Sequence, residues 1–497
     1  MAIIPYFCSI MSNSPLKERT AKGLFWGGLS GGVQQVLALV IGIVLARHLL
    51  PQDYGMVAML TVFSLLAANL EDSGFTSAIA VKKSAGNADY NAVLWFSVAV
   101  GVVLYILLWF AAPLISAFNR TPELTLLARV SFAGFVVSSF GIAQSAYLFR
   151  NLMVKQRMIA TFTAVCAGGA VGITLVVRGY AYWGLVAQDL TYKSTIVVMY
   201  WVLSPWRPTR ELSFRPIREM FGFSSRILAT NVLTTLNNQF LQAQLGHWFP
   251  RHEVGLYSQA NKWDTMGYSL ITTTLSSVAQ PVLAKAAGES RQKQVFRKMV
   301  RFTAFLAFPA MWGLAAIAPE FVPLALKSQW AACVPYLQTL CVAGAFIPVS
   351  QLYSNLLISR GRSSVFFAGT ASMMLCQLAI ILALHFLGHG VGILLVFIAA
   401  LQASWLAVWH TAAHREIGLR LTDTLRDIAP FALASAASMA AACLAAEAVS
   451  GSAARLAVKI AVAAACYCAI MHFAHAAIFR ESVDFILHKM RKIHKSQ

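Results

Sequence analysis

Fourteen long apolar stretches run through this chain, and its Lys and Arg crowd into every second gap between them. The rich gaps lie before Gly23, at Lys82-Lys83, at Arg150-Lys155-Arg157, from Arg207 to Arg226, from Lys285 to Arg301, at Arg360-Arg362, from Arg415 to Arg426, and in the tail from Arg480. The gaps between them are almost bare, holding Arg47, Arg120, Arg178, Arg251, Lys327 and Arg455. Insertion into a bilayer produces this alternation, because Lys and Arg are retained in the cytoplasmic loops. The pattern predicts an all-α polytopic membrane protein with about 14 transmembrane helices and both termini in the cytoplasm. It also checks the count, since one missed helix would reverse the sign of every later gap.

The predicted spans are 23–46, 54–81, 92–118, 124–149, 158–177, 182–203, 222–246, 257–283, 302–318, 331–357, 364–387, 390–410, 428–447 and 454–479. Each is near the roughly 20 residues needed to cross the hydrocarbon. The ninth is the weakest, because Pro309, Pro319 and Pro323 interrupt it. Around these spans lie a cytoplasmic N-terminal segment (1–21), a basic linker (204–221), a cytoplasmic loop (411–427) and a basic tail (480–497). The apolar first ten residues precede a more ordinary amphipathic start at Met11, so Met11 is the expected beginning of the native chain.

Two outer loops echo each other. Arg47-His48-Leu49-Leu50-Pro51-Gln52-Asp53-Tyr54-Gly55 follows the first span, and Gly246-His247-Trp248-Phe249-Pro250-Arg251-His252-Glu253-Val254-Gly255 follows the seventh. The separation is six spans, an even number, so the two copies share one orientation. This predicts two six-helix lobes, 22–203 and 222–410, in a parallel pseudo-repeat about an axis along the membrane normal. Two Ala-rich C-terminal helices, within 428–479, stand outside it.

The composition narrows the chemistry. A net charge of +20 with only 12% charged residues fits helix ends beside anionic headgroups, not a nucleic-acid-binding domain. Walker A and His-Glu-x-x-His sequences are absent, so an enzyme is not expected. Most of the eight cysteines lie in apolar runs without metal-ligand spacing, and neither metal nor cofactor is expected. Cys333 and Cys341 lie close enough along the chain to meet, although nothing in the pattern requires a disulfide.

Function must then reside in polar groups within spans, where an unpaired charge is costly. Asp189 and Lys193 lie one turn apart on the sixth span and can pair along one face. Arg129 lies just inside the outer end of the fourth span, positioned to snorkel outward or to meet an anion in a cavity. Lys262 and Asp264 flank Trp263 on the eighth span and cannot share a face. Glu71 and Asp72 sit near the inner end of the second span, close to Lys82-Lys83, either neutralising that rim or coupling an ion. The seventh span is rich in polar groups, among them Arg226, Asn231, Asn237, Asn238, Gln239 and Gln242. Amides both donate and accept, which suits sugar hydroxyls, and they also serve helix–helix hydrogen bonds.

The segment KGLFWGGLSGGVQQVLALVIGIVLARHLLPQDYGMVAM resembles the start of the polysaccharide-export flippases of Wzx type, in their WzxC-like branch. So do LEDSGFTSAIAVKK, FRNLMVKQRM, YWGLVAQDL and VGLYSQANKW, in that order. The resemblance implies membership of the multidrug/oligosaccharidyl-lipid/polysaccharide exporter superfamily, whose members build two six-helix lobes. It implies a flippase that moves undecaprenyl-diphosphate-linked oligosaccharide between leaflets of the bacterial cytoplasmic membrane by alternating access. Relatives often carry an acidic residue where this chain has Asn237, so the seventh span offers no carboxylate there. The expected diphosphate-binding cations are Arg129, Lys193 and Lys262, with Arg226 near the inner entrance. Asn231, Asn237, Asn238, Gln239 and Gln242 are the candidate glycan contacts, and Asp189, Asp264, Glu71 and Asp72 the candidate ion-coupling groups. The partners expected are the lipid-linked glycan, membrane lipids and a glycan polymerase or export machinery. A multidrug/cation antiporter of the same superfamily and a non-transporting scaffold for glycan assembly are the competing readings.

Overall fold

A computed structural model describes residues 34–82, 85–151, 153–209, 213–285, 289–360, 362–474 and 478–480. The start-site question, the segment 1–21 and the tail beyond residue 480 lie outside the described residues.

The chain is an all-α polytopic membrane protein. Helix α1 covers Gln34–His48. Next come α2 (Pro51–Asp72), α3 (Phe75–Val81), α4 (Asn87–Phe118), α5 (Leu124–Ser139), α6 (Ile142–Arg150), α7 (Val154–Val177), α8 (Tyr182–Leu203) and α9 (Arg215–Trp248). The remainder are α10 (Arg251–Lys285), α11 (Glu289–Leu326), α12 (Val334–Gly344), α13 (Ile347–Ser359), α14 (Ser363–Phe386), α15 (Val391–Ile417), α16 (Leu421–Glu447) and α17 (Ser452–Phe473). Among the described residues, nine helical spans are long and apolar enough to cross a membrane, ten when the bent pair α5–α6 counts as one. Helices also occupy the four other predicted spans. There α1 is described over a short length, and α8, α9 and α10 carry many polar side chains.

Local chemistry sets several boundaries. Pro51 opens α2, where a missing N–H costs nothing, and Asp53 Oδ2 accepts from the Leu50 N–H at 2.9 Å. Ser73 and Gly74 adopt left-handed angles (φ 49° and 74°) and break the second span into α2 and α3. Gly418 closes α15 in the same conformation. Despite its three prolines, α11 runs unbroken through Leu326. Helix α9 begins at Arg215, inside the segment predicted as a linker, because Pro216 suits a first helical turn.

Two compact units emerge, one ending at Gly255 and the other beginning at Leu256. Within the first, α9 packs along α2. Gln242 Nε2 donates to the Ala58 carbonyl at 2.9 Å, and Asn69 Nδ2 donates to Thr235 Oγ1 at 2.7 Å. At one edge Lys82 pairs with Asp89 at 2.7 Å and Glu219 at 3.4 Å, and its bond to Asp89 holds its ammonium above the usual lysine range.

The two echoing loops meet inside this unit. A side chain on Gly55 would run into the Arg251 carbonyl, and one on Gly255 into the Pro51 carbonyl. The contact is reciprocal, with each motif's glycine facing the other's first helical residue, as a pseudo-twofold relation requires. Only glycine lets two helix starts cross this closely.

The second unit is fastened by charge. Arg297 on α11 forms a bidentate bridge to Asp427 (2.7 and 3.1 Å) and reaches Asp423 at 3.1 Å. Lys293 also pairs with Asp423, at 3.3 Å. These bridges draw α16 over the start of α11 and carry helix into the segment predicted as the loop 411–427.

Candidate functional site

Each unit carries its own mid-helix charges, in different surroundings. In the first, Lys193 Nζ contacts Asp189 Oδ2 at 2.6 Å, one turn away on α8. The lysine crosses to α5, lying 5.2 Å above the Phe135 ring. Its Cδ sits 2.9 Å from where a Gly134 side chain would begin, so the missing Cβ makes its berth. The ammonium also acts electrostatically on Glu71 of α2. Glu71 is buried, with Oε1 unpartnered among the described residues. Three helices thus converge on a cluster of two carboxylates and one ammonium. Asp72 instead accepts from Thr76 Oγ1 at 2.5 Å. Arg129 turns to α4, with its guanidinium 4.6 Å over the Trp109 ring and Nε donating to the Trp109 carbonyl at 3.4 Å.

In the second unit, Lys262 of α10 is half-buried, and among the described residues it has no hydrogen bond or ion pair. Asp264, two residues on, is buried. Its Oδ1 fills the space a Gly344 side chain would take, and the Cys341 thiol is its hydrogen-bonding neighbour. Two positions apart on one helix, the two side chains diverge. Cys333 and Cys341 are both free thiols.

The amide-rich helix α9 divides its polar groups. Gln242 is committed to α2, Asn231 is exposed and Gln239 half-buried. The side chains of Arg226, Asn237 and Asn238 lie outside the described residues. Among the described residues, no group of His, Cys, Asp and Glu is arranged to hold a metal ion.

Two features escaped the sequence reading. Lys459 of α17 pairs with Glu320 of α11 at 2.7 Å and donates to the Ala316 carbonyl at 2.9 Å, stapling the last helix to the unit. A lone lysine in an Ala-rich helix was the available signal. Gln144 and Gln259 are buried with neither amide atom partnered among the described residues. Such orphaned amides are costly unless water or a ligand meets them. Single amides within apolar runs carry little signal.

The fold is shared with solved membrane transporters, among them one of the multidrug/oligosaccharidyl-lipid/polysaccharide exporter superfamily. The structure superposes on a lipid II flippase MurJ in an inward closed conformation with a TM-score of 0.75 at 12% identity, covering 92% of this chain and all of that one. An inward-facing multidrug-resistance transporter of the MATE family gives 0.62 at 16% identity, over 78% and 94% of the two chains. At these identities the likeness establishes the fold alone. The chain belongs to the family described as "Polysaccharide biosynthesis protein", whose profile matches residues 44–335. It is 24% identical to the lipopolysaccharide biosynthesis protein WzxC of Escherichia coli K12, over 71% of this chain and 72% of that protein. It is 26% identical to a membrane protein of the Klebsiella pneumoniae cps region, over 70% and 72%. It is 23% identical to the succinoglycan biosynthesis transport protein ExoT of Rhizobium meliloti, over 70% and 71%.

Proposed function

We propose that the chain is a flippase for undecaprenyl-diphosphate-linked oligosaccharides, moving them from the inner to the outer leaflet of the bacterial cytoplasmic membrane for exopolysaccharide, capsule or lipopolysaccharide assembly. Both termini then lie in the cytoplasm, the lobes are 22–203 and 222–410, and the two lobes alternate access to a hydrophilic path. The family match supports the pathway.

The observation that carries the substrate chemistry is Lys262. It lies eleven residues into α10, about 16 Å along the helix at 1.5 Å per residue. An ammonium at that depth with no protein partner is expensive unless an anion visits it. A diphosphate is such an anion, while the prenyl chain stays in lipid. Exposed amides such as Asn231 suit glycan hydroxyls, and Glu71 and Asp264 are the buried carboxylates open to ion coupling. Arg129 and Lys193, already engaged by protein groups, act on substrate only after those contacts break.

A multidrug/cation antiporter is the second reading, favoured by Asp264, a buried carboxylate with no cation beside it among the described residues. Complementation of a polysaccharide-export mutant separates the two. Wild-type chain restores export, and Lys262→Gln restores it about tenfold less well. Failure of the wild-type chain to restore export, with broad drug resistance on overexpression, overturns the flippase assignment.

A further inference from the structure

A cavity of about 480 Å³ opens within the first unit, where the α4–α5 loop meets the end of α9 and the start of α10. Arg120, Glu123, His247 and Arg251 are among its lining residues. By the charge pattern this is the outer side, where only six Lys or Arg occur in the gaps or at their edges. Two of those six, from loops far apart in sequence, line this one cavity.

We propose that the cavity is a binding site for the phosphate of a sugar- or polyol-phosphate headgroup, held between Arg120 and Arg251. Neither guanidinium has a hydrogen bond or ion pair among the described residues, so both forks are available to phosphate oxygens. Arg120 occupies a left-handed backbone position (φ 51°) that glycine would fill without steric cost. An arginine there accepts strain to aim its side chain. Arg251 is seated by the glycine crossing, because its carbonyl fits against Gly55.

The remaining lining suits the rest of a headgroup. His247 stacks on Phe118 at 4.1 Å and bonds the Phe118 carbonyl through Nδ1 at 2.8 Å, which leaves Nε2 for a ligand. Asn119 is buried and donates Nδ2 to the Ile115 carbonyl at 2.9 Å, keeping Oδ1 as an acceptor for a hydroxyl. The volume falls in the range of sites for whole small ligands, not bare ions. Two sources share this chemistry: the glycosyl diphosphate of the proposed substrate on reaching the outer leaflet, which rests on the flippase reading, and the headgroup of phosphatidylglycerol.

The test uses the full chain in phosphatidylcholine nanodiscs, titrated with farnesyl diphosphate and followed by calorimetry, with native mass spectrometry counting retained phosphatidylglycerol in a parallel series. The wild type is expected to take up two equivalents of diphosphate, one at Lys262 and one in the cavity. Arg120→Gln/Arg251→Gln loses the cavity equivalent, with affinity there falling by at least about tenfold. Glu123→Gln, which removes the cavity's carboxylate, tightens it, a gain that misfolding cannot produce. If the double variant leaves diphosphate uptake intact but sheds phosphatidylglycerol, the site stands with lipid as its occupant. If it alters neither, the proposal is overturned. Lys262→Gln is the separate control: an unchanged stoichiometry there removes the cation of the flippase reading and leaves the cavity site untouched.

Discussion

Lys193 and Lys262 are the same residue type, each eleven residues past the first residue of its helix, one in each unit, and they have opposite neighbourhoods. Lys193 is held by Asp189, lies over Phe135 and acts on Glu71. Lys262 has no partner among the described residues, although Asp264 is two positions away. Helical geometry accounts for the difference. Residues four apart share a face, and residues two apart face away from each other. The first lysine is a component of packing. Under the proposed function, the second is the one that meets the substrate.

The largest expected effect tests the paired side of this contrast. Lys193→Met leaves Glu71 and Asp189 without a cation and should destabilise the chain by about 3 kcal/mol, the low end for a broken buried pair because Asp189 is 47% exposed. Thermal unfolding in detergent reads it, and adding Glu71→Gln should recover part of the loss. An unchanged melting temperature would show that the cluster contributes nothing to packing.

Next come the helix starts. Gly55→Ala and Gly255→Ala each place a methyl against a backbone carbonyl, at a cost of about 1–3 kcal/mol for overpacking. The double variant should cost less than the sum, since both disturb one contact. Strict additivity in the same unfolding assay would mean that the two glycines do not share it.

Lys262→Gln reverses the pattern seen at Lys193. Stability should hold or rise, while export in complementation drops about tenfold, equivalent to about 1.4 kcal/mol. Lys262→Arg should restore part of it. Loss of stability with export preserved would place Lys262 with Lys193 as a structural lysine.

The smallest effect belongs to Gln242→Leu. Its bond to the Ala58 carbonyl is a helix–helix contact worth about 0.6 kcal/mol. Export should be near wild type. A severe export defect at normal stability would return Gln242 to the substrate path.

The helical class and the family were legible in the sequence to different depths. Each predicted span overlaps a described helix or broken helix pair, including the polar seventh and eighth, whose hydropathy alone does not mark them as spans. The loop chemistry was less legible. The break at Ser73-Gly74 has a glycine signal, but the unbroken passage of α11 through three prolines has none. Among the site residues, the i,i+4 spacing made the Asp189–Lys193 pair readable. The stacking of Arg129 on Trp109, the commitment of Gln242 to α2 and the Lys459–Glu320 staple depend on partners far along the chain.

The sequence alone determined the helical class, the alternating charge pattern and the existence of the repeat. Those follow from the free energy of moving each stretch, with its own side chains, from water to hydrocarbon, which is local and nearly additive along the chain. Only the tertiary structure decided which charges are neutralised, which amides are already bonded, and that Arg120 and Arg251 line one cavity beside two crossing glycines. Those depend on helix rotation and on approaches of a few ångströms between distant residues, where a turn of one helix exchanges a partner for open space.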